Sequence, residues 1–201
     1  MKREKKLGWM ASKKVIILNG APSSGKDTIA NFFRDVVGLE KMEVKKDLFD
    51  IALCISGISE GDWFERYDNR ELNLKEVPWN RLNGISQRDF LIRISEDWVK
   101  FVFGKDVFGV KAAARIQESG STSFVFSDVG FKEELEAITS VVGEDNVLLV
   151  RLHRFGCTFN GDSRTHLSHK HEIDINNDHD ISIACSNIFA SFAKLILSTK
   201  Q

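Results

Sequence analysis

The chemistry in this chain is concentrated in Gly20-Ala21-Pro22-Ser23-Ser24-Gly25-Lys26-Asp27-Thr28. The segment fits G-x-x-x-x-G-K followed by a polar residue. Its glycines let the backbone curl so that successive N–H groups point inward. Those amides, with the N-terminus of a following helix, present partial positive charge to a β-phosphate, and the lysine reaches the β and γ oxygens. Gly20, Ser23, Ser24, Gly25, Lys26, Asp27 and Thr28 are therefore expected to hold a nucleotide triphosphate such as ATP. The position after the lysine usually carries a Ser or Thr hydroxyl for Mg²⁺. Here Asp27 stands there and Thr28 follows, and the sequence leaves open which of the two takes the metal.

A second acidic candidate is Asp128, at the end of Phe124-Val125-Phe126-Ser127. An apolar strand that ends in a carboxylate delivers it to the edge of an α/β sheet where ligands bind, and such a group holds a metal-bound water. Phosphoryl transfer is mostly positioning and charge neutralisation, so several cations should converge on the phosphate loop. Arg154 and Arg164 bracket a glycine-containing polar segment and are the expected lid arginines. Arg88 opens a helix, where the dipole gives a cation no benefit, so a phosphate ligand explains it better. His166, His169, His171 and His179, with Asp174, Asp178 and Asp180, have spacings found in metal sites, but no cysteine pair accompanies them. Asn176-Asn177-Asp178 is a candidate for an adenine-side loop.

The elements that must position these groups alternate between strand and helix. Residues 15–18 are a short apolar run ending in Asn19-Gly20, a buried strand entering a glycine turn. Helical spacing follows over 26–37, with Gly38 as the stop. A short strand is expected at 42–44 and a helix at 48–55. Residues 57–86, charged and containing Trp63 and Trp79, read as a long insertion or substrate lobe. Ser86 caps a periodic helix whose apolar positions are Phe90, Leu91, Ile94, Trp98, Phe101 and Val102. Further helices are expected at 107–116, 131–142 and 183–197, and strands at 124–126, 147–152 and 173–175. The pattern predicts βαβ units and a parallel sheet covered on both faces.

Length and composition agree with one such domain. The chain has 201 residues, of which 42% are apolar, and a formal net charge of -1. That excludes a global basic footprint for a nucleic acid polymer. Three scattered cysteines argue against a disulfide framework and for a reducing, cytoplasmic setting. Residues 1–13 read as a polar leader, and 14–201 as one kinase-like domain with a lid-like loop at 153–170. No run of about 18 apolar residues stands out as a membrane span.

Taken together, Gly25-Lys26-Asp27-Thr28, Lys46, Asp68-Asn69-Arg70-Glu71, Ser86-Gln87-Arg88-Asp89-Phe90-Leu91, Asp128 and residues 150–154 resemble the P-loop deoxynucleoside monophosphate kinases of tailed bacteriophages. The resemblance spans most of the chain from Lys14 onward. It implies an α/β, nucleoside monophosphate kinase-like fold with a central parallel sheet, a substrate lobe and an arginine-bearing lid. It also implies ATP and Mg²⁺ as cofactors, a (deoxy)nucleoside monophosphate as acceptor, and a place in the host cytoplasm if phage-encoded. A homodimer is compatible with it. Lys46, Arg70 and Arg88 become candidate acceptor-phosphate ligands, and Lys26, Arg88, Asp128, Arg154 and Arg164 the catalytic set. The chain departs from the family pattern at Gly130, where an arginine is common, and at Ile92, where a glutamine is common. Two alternatives stay open: a P-loop kinase for another small phosphorylated metabolite such as phosphomevalonate, and a nucleotide-binding regulatory ATPase.

Overall fold

The structure is a computed structural model that describes residues 12–69 and 71–198. Arg70 and most of the expected leader, residues 1–11, lie outside the described residues. Five strands, β1 (Lys14–Gly20), β2 (Glu40–Met42), β3 (Ser123–Phe126), β4 (Val147–His153) and β5 (Glu172–Asn176), form one sheet in the order β2-β3-β1-β4-β5. Every neighbouring pair is parallel. All five C-terminal ends therefore open on one edge. The expected α/β, P-loop kinase-like architecture is the one observed.

β1 is central and buried along its whole length. Its alternation divides the core in two: Val15 and Ile17 belong to one cluster, Ile16 and Leu18 to the other. The first cluster is roofed by α2 (Lys46–Ser56), α3 (Glu60–Tyr67), α4 (Gln87–Ile92), α6 (Val107–Glu118) and α7 (Lys132–Val142). The second is roofed by α1 (Lys26–Phe32) and α8 (Ile181–Ser198). A strand covered on both faces has no polar side to show, which is why its sequence reads as a continuous apolar run.

Two expectations need correction, the buried face of the helix after Ser86 and the absence of a membrane-length apolar run. Residues 57–86, the expected insertion or substrate lobe, pack against the larger core. They contain α3, capped by the Ser59 hydroxyl, and Trp63 of that helix is fully buried in the larger core. The periodic helix after Ser86 changes pitch. Between α4 and α5 (Lys100–Phe103) the segment Arg93–Val99 forms π turns, and the Lys100 N–H reaches back five residues to the Ser95 carbonyl. That widening turns Leu91, Ile94 and Val99 inward and leaves Trp98, Phe101 and Val102 exposed, where a 3.6-residue period had placed them in the core. Finally, α8 is long and apolar enough to cross a membrane, an 18-residue helix of mean hydropathy 1.6. In this fold its Ala184, Cys185, Ile188, Phe192 and Leu195 are buried in the smaller core cluster beside residues of β4 and β5.

Candidate nucleotide-binding site

β1 ends at Gly20, and the chain turns over residues 21–25 into α1. The turn needs unusual backbone: Ser23 has φ 64° and Gly25, the N-cap of α1, φ 97°. At Gly20 a Cβ would lie 2.7 Å from the Leu152 carbonyl oxygen and 2.8 Å from Ser24 Oγ, so only glycine fits. Lys26 folds back over the loop, its Nζ donating to the Gly20 and Ala21 carbonyls at 2.7 Å each. Burial and the Arg164 guanidinium push its pKa down to about 8, against the pull of Asp27 and Asp162. A lysine held this way gains from an anion that enters the loop.

The loop is braced from below by a residue assigned from sequence to the adenine side. Asn177 is 7% exposed, and its Nδ2 donates to the Ser24 carbonyl at 2.8 Å. Its own N–H is held by the His153 carbonyl at the end of β4. Asp27 faces the neighbouring strand end, where the Ser127 hydroxyl donates to its Oδ1 at 2.8 Å. Thr28, one residue on, is exposed. Asp128 ties the loop after β2 to β3, because its two oxygens accept the Val44 and Lys45 N–H groups at 3.0 Å each. A carboxylate has about four lone-pair sites, so these bonds fix Asp128 in place and leave it acceptor capacity toward the site.

The predicted cations divide. Arg154 reaches the phosphate loop, with Nη1 donating to the Ser23 carbonyl at 3.2 Å. Arg164 is brought there by three features. Asn19, at the end of β1, accepts the Leu167 N–H and donates to the Thr165 carbonyl, which straps this part of residues 153–170 against the sheet. Gly130 leaves the space for the arginine's stem: a Cβ there would lie 2.3 Å from Arg164 Cδ. Asp162 grips the guanidinium in a fork, at 2.9 Å to Nε and 2.6 Å to Nη2. Arg88 pairs with Glu76 at 3.3 Å and acts electrostatically on both Tyr67 and Asp162. Lys46 does not converge. Its Nζ bonds Asp50 at 2.7 Å on the exposed face of α2.

The neighbouring Lys45 lies among the acidic groups at this edge of the sheet. Lys45 is coupled to Asp128, Glu43, Tyr67 and Asp27; burial opposes its charge, but the carboxylates outweigh that and hold its pKa above the ordinary lysine value. Tyr67, whose pKa is raised chiefly by burial, feels both Lys45 and Arg88. Charged groups thus link around the open edge of the sheet: Lys26, Asp27, Lys45, Arg88, Asp162 and Arg164. Lys45, Glu43 and Asp162 were not singled out from sequence. Asp162 carried one legible signal, its position two residues before an expected lid arginine.

Four of the five histidines have separate partners. His153 lies 2.6 Å from Asp174, His171 2.9 Å from Asp145, His169 3.1 Å from the Glu144 carbonyl, and His166 3.3 Å from Asn19. Among the described residues no three His, Cys, Asp or Glu side chains form a metal-binding group. All three cysteines are free.

Comparison with known proteins gives three results. Residues 13–85, which include the phosphate loop and the turn after β2, match the model of the chloramphenicol phosphotransferase-like protein family. The sequence matches no curated protein. Among solved structures, the chain is similar to a sugar kinase from Janibacter sp. HTCC2649 at 13% identity, with 90% of this chain and 95% of that one covered and a TM-score of 0.47. It is similar to a gluconokinase from Sinorhizobium meliloti 1021 at 12% identity, covering 94% and 97%, with a TM-score of 0.46. It is also similar to a shikimate kinase from Aquifex aeolicus, at 12% identity, covering 89% and 96%, with a TM-score of 0.41.

Proposed function

We propose that this chain is a kinase that transfers the γ-phosphoryl group of ATP to the phosphate of a (deoxy)nucleoside monophosphate. The observation that carries the reading is a phosphate loop accompanied by two further cations, Lys45 and Arg88, which both act electrostatically on Tyr67. A nucleotide-binding switch needs the loop alone; a second cationic station calls for a second, anionic substrate.

In this reading the loop amides and Lys26 hold the β and γ phosphates, and Arg154 and Arg164 close over them. The acceptor's phosphate oxygen forms a bond to the γ-phosphorus. The bond from that phosphorus to the β,γ-bridging oxygen breaks, and its electron pair stays on ADP. No protein nucleophile is required. Lys45 and Arg88 hold the acceptor phosphate so that its oxygen lies in line, and neutralise charge as it spreads in the transition state. The acidic groups at the loop fit a magnesium ion: Asp27, beside Ser127, and Asp128 would hold it, with Thr28 less favoured because it is exposed. When bound, Mg²⁺ supplies positive charge to the phosphate oxygens.

A second reading has one observation in its favour. The family match over residues 13–85 names a phosphotransferase for chloramphenicol, a hydroxyl compound. Within that span Glu43 is the residue just after β2. Burial first, and then Asp128, hold its pKa above the ordinary carboxylate value. A hydroxyl acceptor would use such a group as a base.

One experiment separates the readings. Purified protein is given ATP, Mg²⁺ and a panel of ribo- and deoxyribonucleoside monophosphates alongside chloramphenicol, gluconate and shikimate. Stoichiometric nucleoside diphosphate from one or a few monophosphates is expected. Phosphorylation of a hydroxyl compound alone supports the second reading, and phosphate release with no phosphorylated product overturns both.

A further inference from the structure

Asp162 is a carboxylate lodged among the cations of an anion site. Its side chain is 9% exposed. It accepts from Arg164 Nε, Nη2 and the Arg164 backbone N–H. It also acts on Lys26, and Arg88 acts on it. Glu134 and Asp128 also act on Arg164 electrostatically, but among the described residues the ion-pair partner in contact with it is Asp162. The arrangement is local to one turn: Asp162 N–H bonds the Phe159 carbonyl, and Gly161 adopts φ 75°. The turn therefore delivers the carboxylate to Arg164 without help from the rest of the fold. The space that Arg164 fills is kept open by Gly130, whose missing Cβ would overlap the arginine stem.

A guanidinium forked onto a carboxylate has the geometry it would use on a phosphate. We infer that Asp162 is an internal placeholder for the transferring phosphate: it occupies the Arg164 fork in the nucleotide-free protein and is displaced by the γ-phosphate of a nucleoside triphosphate. The inference rests on the kinase reading above and adds a specific task to it. The placeholder keeps Arg164 and Lys26 from repelling each other in an empty site, and it makes the arginine available only to a ligand that brings its own anion. A nucleoside without phosphates cannot replace Asp162. Binding should therefore be weakened by the placeholder only for ligands long enough to reach Arg164.

The test compares the parent protein with Asp162→Asn, which keeps an acceptor oxygen for the Arg164 backbone N–H but loses the charge. Dissociation constants for ATP, ADP and adenosine are measured by calorimetry without acceptor. The variant is expected to bind ATP roughly 3- to 10-fold more tightly, since removing a competing state raises the competent fraction, with adenosine changed less than 2-fold. A second variant, Asp162→Ser, guards against an effect of the amide alone and should tighten ATP in the same direction. ATP binding that is unchanged or weaker in both variants overturns the inference, because Asp162 would then merely orient Arg164. Equal tightening of ATP and adenosine also overturns it. If the parent protein binds no nucleotide, the kinase reading itself fails, and this inference with it.

Discussion

The brace beneath the phosphate loop is the part of the site most open to a quantitative test. Asn177→Ala removes the 2.8 Å bond to the Ser24 carbonyl, and Ser24 is fully buried, so no water replaces the donor. A buried acceptor left unsatisfied costs about 1–3 kcal/mol, which is the expected loss of unfolding free energy. Gly25→Ala meets the same residue from the other side. A Cβ there would lie 2.3 Å from Asn177 Nδ2, at φ 97°. The left-handed backbone costs an alanine about 1–2 kcal/mol, and the overlap adds about 1–3 kcal/mol. Only the overlap is relieved when the asparagine is also truncated. The double variant should therefore be less destabilised than the sum of the single variants by about 1 kcal/mol or more, the size of coupling expected between residues in contact. Denaturant unfolding of the four proteins gives this coupling directly, and ATP titration of the same samples reports the loop. Additivity within about 0.5 kcal/mol would refute the reasoning, as would unchanged ATP affinity in Asn177→Ala.

Three further outcomes are expected. With its pKa near 8, Lys26 loses its proton in the free protein as pH rises through that value, so ATP affinity should fall above about pH 8. ATP binding there should take up a proton, readable by calorimetry in buffers of different ionisation enthalpy; no uptake would remove Lys26 from the phosphates. Asp27→Ala should shift the apparent Mg²⁺ requirement more than Thr28→Ala, because Asp27 faces the strand ends and Thr28 faces solvent; a magnesium titration of both variants that shows the reverse order would move the metal role to Thr28. Glu134, buried under the start of α7, has a pKa raised by burial to about 7 from 4.5, so the native state binds the extra proton between those values and stability should fall as pH rises through that window. At 1.36 kcal/mol per unit the fall is about 3 kcal/mol, and Glu134→Gln, which retains an acceptor for the Gly130 and Phe131 N–H groups, should flatten it in thermal melts from pH 5 to 8; an unflattened slope would refute the assignment.

What could be read along the chain was whatever depends on near neighbours. The run before Asn19-Gly20 had to be a strand buried on both faces, because nothing polar interrupts it. The glycine spacing after it had to make an amide-lined turn, because no other residue tolerates φ 97° and the closeness of Leu152 at Gly20. Alternating strands and helices then fixed a parallel sheet and placed Asp27, Asp128 and Arg154 at one edge. Decisions between neighbours of the same type were out of reach. Lys45 and Lys46 are equivalent in sequence, and only the start of α2, pinned by the Asp128 bonds to the Val44 and Lys45 amides, turns Lys45 inward and leaves Lys46 to Asp50. The helix after Ser86 was legible as a helix, but its buried face was not, because a π turn changes the angle per residue without a sequence mark. Gly130, a departure from the resembling family as a sequence, acquires its meaning from Arg164, more than thirty positions later, whose stem fills the space a Cβ would occupy. Composition and spacing determined that the chain builds a phosphate loop on a parallel sheet. Long-range packing decided which lysine, which asparagine and which aspartate surround it, because those choices turn on distances between segments that no local pattern encodes.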